Sequence, residues 1–196
     1  MVVLGVDPGT AQTGYGVVRG DGSRPPALVE CGVIRTRARD PLPVRLRDIY
    51  DGICELLERH HPDAMAVEDV FYARNVRTTI VLGHARGVVL LAGEQRAVTM
   101  YEYPPAEIKK AVVGSGAATK EQVQFMLTRL LRLKAVPQPS DAADGVAAAL
   151  AYVMSARLPA IAESGGRDRA DRSRREAAVS RAMARLAARR GGGDAR

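Results

Sequence analysis

A chain of 196 residues, 46% hydrophobic and 26% charged, has material for one well-packed domain and little left for a second. The formal net charge of +7 and a pI near 9.8 favour a polyanionic partner without saying which polyanion. The start MVVLGVDPGT has neither a basic leader region nor a small-residue cleavage site, and no apolar run approaches the ~20 residues of a membrane span, so a soluble cytoplasmic protein is expected.

Val2 to Val6 is a short apolar run of the buried-strand kind, closed by the turn-forming Asp7, Pro8 and Gly9. Tyr15 to Arg19 and Ala27 to Thr36 read as two more strands joined through GDGSRPP, which predicts an antiparallel meander. Leu42, Leu46, Ile49, Ile53, Leu56 and Leu57 keep helical spacing ahead of Pro62. Ala64 to Val70, flanked by helices, predicts a buried parallel strand with Glu68 inside it and Asp69 facing the other way. Val76 to Leu91 predicts a helix whose second half, GVVLLAG, is apolar nearly all round, as expected if it is covered by its own sheet and by another chain.

Val98 to Tyr103 is the fifth predicted strand. Ala106 to Val113 predicts a short helix, and Thr119 to Leu133 a longer one capped by Thr119. Ser140 to Met154 begins with a capping residue and continues through an Ala-rich helix. Beyond Leu158 the composition shifts to Arg, Ala, Gly, Asp and Ser; Glu163 to Arg196 holds ten Arg against five acids, the pattern of a disordered basic tail. Cys31 and Cys54 lack CxxC spacing and read as small core residues, and His60, His61 and His84 form no zinc-binding spacing with them.

Four acids occupy positions where an isolated carboxylate is costly or unexplained: Asp7, Glu68, Asp141 and Asp144. The first two lie at or in buried strands, and the last two, three residues apart, share one face of a helix start. Clustered carboxylates repel unless a divalent cation sits among them, and Mg²⁺ accepts such oxygen ligands. Metal-assisted phosphodiester hydrolysis is the chemistry such a cluster suits. Each acid also has a plainer reading: Asp7 as a turn residue, Asp141 and Asp144 as charges favourable at a helix N-terminus. Glu68, inside VEDVF, is the hardest to explain away. VVGSGAATKE lacks the Gly before Lys and the Ser or Thr after it that a phosphate-binding P-loop requires.

The strings VDPGTAQTGYGV, AVEDVFYARN, LGHARGVVL, KKAVVGSGAATKEQV and PQPSDAADGVAAAL resemble, in order and spacing, the RuvC family of Holliday junction resolvases. The resemblance covers residues 1 to about 157. It implies an α/β ribonuclease H-like fold with a mixed five-stranded sheet over 1–158, with 159–196 as the tail. It also implies a homodimer that makes paired, symmetric nicks in four-way DNA junctions during recombination and repair.

On that pattern Asp7, Glu68, Asp141 and Asp144 are the catalytic, metal-binding acids for Mg²⁺, two ions per subunit, with Mn²⁺ as a substitute. Phe71 would stack on a base unpaired at the junction centre, though an ordinary core Phe fits it as well. Lys109 and Lys120 would sit near the cleaved phosphate or the DNA backbone, with Lys110 and Arg74 as further DNA contacts. A branch-migration complex of the RuvA/RuvB kind is the implied protein partner. Three other readings differ in what they need. A single-strand or RNA nuclease of the same core would cut linear substrates too. A phosphotransferase built on the DPGT turn would need a second domain and another glycine-rich turn. A non-catalytic junction binder would have no use for the four acids.

Overall fold

A computed structural model describes residues 1–20, 24–69 and 76–155. Phe71 and Arg74, part of the first predicted strand connection and the basic tail lie outside the described residues. Three strands come first: β1 (Val2–Asp7), β2 (Gln12–Arg19) and β3 (Ala27–Arg35), paired as an antiparallel meander. After α1 (Leu42–His60), β4 (Ala64–Glu68) returns parallel to β1, and after α2 (Val76–Gln95), β5 (Thr99–Tyr103) adds parallel to β4. The sheet order is β3-β2-β1-β4-β5. Three helices close the described fold: α3 (Pro105–Val113), α4 (Lys120–Leu130) and α5 (Ser140–Ser155).

Strand alternation divides the interior into two layers. Leu4, Val6, Val17, Met65 and Val67 point to one face, where α1 and α2 cover them with Ile49, Ile53, Leu57 and Val89. Val3, Val18 and Ala66 point to the other, under α5, α3 and α4. α5 is buried nearly all round, from Ala142 to Val153, because it lies between the sheet and the two outer helices. Its run of alanines is therefore a packing requirement as well as a helix preference.

The ends of the helices follow local chemistry. Pro41 precedes α1, and His61 ends it in the left-handed region at φ 41°, its N–H donating to the Leu57 carbonyl. Thr119 caps α4 in a capping box: its hydroxyl accepts from the Gln122 N–H, and the Gln122 side chain accepts from the Thr119 N–H. Cys54 is buried and Cys31 half-buried, both as free thiols. Among the described residues, no helix is long and apolar enough to cross a membrane.

Several predicted boundaries need adjustment: β2 begins earlier, at Gln12, and α2 continues past Leu91 to Gln95. Glu68 is the last residue of β4 rather than an interior one, so its carboxyl meets the sheet edge instead of the core. α4 stops at Leu130, not Leu133, because Arg132 turns into the left-handed region at φ 53°.

Candidate active site

Asp7 ends β1 and Glu68 ends β4. These strands are parallel neighbours whose last paired residues are Val6 and Val67, so both acids leave the sheet at one edge, the carboxyl end where open α/β sheets bind ligands. Period-two alternation from Val3 and from Ala66 puts both carboxylates on the α5 side. Asp69 takes the opposite side and pairs with Arg86 of α2 at 3.2 Å, as the alternation predicts.

The other two acids arrive with α5, and glycines decide how closely. Gly14 pairs with Asp7 across β1 and β2. A Cβ on Gly14 would stand 1.8 Å from the Asp141 carbonyl oxygen, so the first turn of α5 rests on the strand position opposite Asp7. Further along, Gly5 and Gly16 face each other across the two strands. A Cβ on Gly16 would lie 2.5 Å from Val146 Cα, and one on Gly5 2.1 Å from the Gly145 carbonyl oxygen. The helix answers with Gly145, whose own Cβ would lie 2.5 Å from Tyr15 Cα. Backbone against backbone, this seam seats α5 on the sheet. It was not among the residues singled out from sequence, although TGYG at period two in a strand was its visible signal.

The loop after Asp7 is tied down independently. Thr13, fully buried, donates from Oγ1 to the Gly9 carbonyl at 2.7 Å. Thr36 at the end of β3 donates from its amide to the Ala11 carbonyl at 3.1 Å and from its hydroxyl to that of Thr10. The loop lines a cleft of about 460 Å³ together with Asp7, Glu68, Asp141 and Gln12.

Carboxylate oxygens of Asp7, Asp141 and Asp144 lie within 4.8 Å of one another. Glu68 lines the same cleft but stands outside this group of three. Burial pushes the Asp7 carboxyl up to about 6, with the charges of Asp144 and Asp141 adding to it and Lys120 opposing. Burial pushes Glu68 further, to about 8, with Asp7 and Asp144 adding and Lys120 and Lys109 opposing. Lys120 donates from Nζ to Asp144 Oδ2 at 2.7 Å. Partial burial works against its ammonium, but this hydrogen bond and the charges of Asp144, Asp141 and Asp7 together outweigh that and hold the Lys120 pKa above the usual lysine value. Lys109 is half-buried on α3, while Lys110 is exposed.

These three aspartates could hold a metal ion, and their chemistry fits a hard one. All three donors are oxygens, with no His or Cys in the group. Their mutual repulsion is what a cation would relieve. One of them, Asp141, sits in the first turn of α5, where the helix N-terminus already favours negative charge.

A mixed five-stranded sheet with acids at two adjacent strand ends, and more acids on a helix laid across them, defines a nuclease of the ribonuclease H-like class. The narrower assignment comes from comparison. The sequence pattern of crossover junction endodeoxyribonuclease RuvC matches residues 3–152, and the chain belongs to that family. The crossover junction endodeoxyribonuclease RuvC of Desulforamulus reducens is 45% identical over 153 residues, covering 78% of this chain and 93% of its own. The structure of Thermus thermophilus RuvC in complex with Holliday junction substrate superposes with a TM-score of 0.77 at 38% identity, covering 81% of this chain and 96% of that one. The yeast mitochondrial Holliday junction resolvase Ydc2, at 14% identity and a TM-score of 0.58, shares the fold.

Proposed function

We propose that this protein resolves four-way DNA junctions by paired, symmetric, metal-dependent hydrolysis of phosphodiester bonds. The observation that carries the reading is the convergence of Asp7, Asp141 and Asp144 on one cation-sized space at the sheet edge, beside Glu68, in a chain of the RuvC family.

In this reading Asp7, Asp141 and Asp144 hold the metal, and Glu68 completes the shell once it has lost its proton. Two Mg²⁺ ions, or Mn²⁺ in their place, would supply an activated water and neutralise charge at the leaving 3′ oxygen. The protein's own groups prepare the site. Lys120 fixes the Asp144 carboxylate through its 2.7 Å hydrogen bond and brings a positive charge to the cleft rim, where a phosphate would enter. Lys109 adds to the same positive field, which already acts on Glu68. The Gly14–Asp141 contact keeps Asp141 against the β2 residue that pairs with Asp7, so the acids are placed before any ligand arrives. Lys110, Phe71 and Arg74 are assigned to DNA, Phe71 as the ring that stacks on an unpaired base.

A nearly two-fold symmetric junction calls for two copies of the site, and a C2 dimer supplies them. α2 offers the face. Its sheet side buries Ala85, Val89 and Ala92, yet Ile80 and Leu91 remain 56% and 49% exposed on the other side. Gly83 and Gly87 lie between them with open space beyond, room for a second helix to approach closely. The setting is the cytoplasm, with a branch-migration complex of the RuvA/RuvB kind as partner. The domain ends near residue 158, and the basic tail adds nonspecific affinity at most.

Metal dependence tests the chemistry. A labelled synthetic junction should be nicked on addition of Mg²⁺ and left intact but bound in a chelator. Cleavage that persists in the chelator contradicts the reading.

A further inference from the structure

We propose that the outer face of α4 and the turn after it form a second DNA contact, one that holds the phosphate backbone of a junction arm beyond the cleft. The inference rests on the junction reading and extends it to a surface that reading does not use.

α4 has a plain inner face: Val123, Leu127 and Leu131 are buried against α5 and its surroundings, with Met126 and Leu130 beside them. Its outer face is unusual. Phe125, one of two phenylalanines in the chain, is 57% exposed. The Arg129 guanidinium lies over its ring, 5.3 Å from the centroid. An exposed aromatic ring that carries an arginine keeps the planar fork outward and partly ordered, the state in which guanidinium binds phosphate oxygens in pairs.

Arg132 and Lys134 follow in the turn, both exposed. From Gln122 to Ser140 there is no acidic residue. Among the described residues, none of these three cations makes an ion pair. With one acid on this face, the exposed Glu121 one turn before Phe125, a surface of three cations and a flat ring keeps a net positive charge and is complementary to a phosphate backbone rather than to an apolar or basic protein face.

The position in the fold supports the same occupant. The segment leaves the acid cluster at Lys120, whose Nζ holds Asp144, and returns to it at Asp141. At 1.5 Å per residue, about 14 Å of helix separates Lys120 from Arg129. Phosphates along one strand of duplex recur every ~3.4 Å, so an arm whose phosphate occupies the cleft extends far enough to meet the outer cations.

The test is the salt dependence of junction binding by the full chain in chelator. Each phosphate contact contributes about 0.9 to the slope of log affinity against log salt. Arg129→Gln, Arg132→Gln and Lys134→Gln combined should lower that slope by about two to three, and each single variant by about one. Should the triple variant melt below the wild type, the single variants carry the test. An unchanged slope overturns the proposal. So does a shift in sedimentation of Phe125→Ala with the slope intact, which would make this face a protein interface. A wild-type protein that fails to bind junctions would instead remove the function reading itself, a failure visible before any variant is made.

Discussion

Without metal, the Glu68 carboxyl holds its proton to about pH 8 and that of Asp7 to about pH 6, because both are buried and both face other acids. An acid whose folded pKa is raised binds more protons folded than unfolded between the two values. Stability therefore falls as pH rises from the unfolded pKa through the folded one. In chelator, wild-type Tm should drop between pH 5 and pH 8, and Glu68→Gln should flatten that drop and melt about 5 °C higher at pH 8. Thermal scans at several pH values check both, and a Tm of Glu68→Gln equal to or below wild type at pH 8 contradicts the charge-repulsion account. Metal affinity should rise over the same window, since binding must displace those protons.

Asp7 and Glu68 were legible in the sequence because one closes an apolar run and the other stands inside one, where an acid needs a reason. Asp141 and Asp144 were legible from their three-residue spacing at a helix start. The sequence could not tell that three aspartates share one space while Glu68 stands beside them. Nor could it show that Lys120 reaches Asp144 across 24 residues, a contact made by packing α4 on α5.

At the scale of elements, the seam of Gly5, Gly14, Gly16 and Gly145 is what converts a strand end and a helix start into one site. Gly14→Ala would push a methyl group into the Asp141 carbonyl oxygen, backbone against which neither partner can rotate away. It should cost about 3 kcal/mol in a urea titration and reduce cleavage far more than metal-free junction binding. Retained stability with full activity would mean that α5 does not rest on the sheet as described.

The same glycines explain where the element reading fell short. β2 starts at Gln12, three residues before the predicted Tyr15: Gly14 and Gly16 dilute the strand preference of Thr13 and Tyr15, so the sequence signal begins late. Its pairing with β1 on one side and β3 on the other supplies what propensity lacks. The other strands and the helices stand where they were read, with ends shifted by up to four residues, and Thr119 caps α4 as its sequence position predicts.

For the whole molecule, the proposed dimer would bring two sites into one assembly, which paired cuts in a two-fold symmetric junction call for. Ile80→Glu with Leu91→Glu places charges on the exposed face of α2 and leaves its buried side untouched. Sedimentation should show a shift from dimer to monomer, and the remaining cuts should fall on single strands independently. A dimer that survives both substitutions locates the interface elsewhere. The basic balance of the chain was legible from composition, and so was a helix apolar on both its sheet side and its outer side. The occupant proposed for the outer side was not, because one chain's sequence carries a partner only as an unexplained apolar face.

The most direct test sets a labelled four-way junction beside a linear duplex of the same sequence, in Mg²⁺, with the wild-type protein and with Asp7→Asn. Paired nicks in the junction alone, reduced by roughly 10³-fold or more in Asp7→Asn while that variant still binds the junction, are the expected result. Equal cutting of the linear duplex, or cutting indifferent to Asp7, would contradict the account.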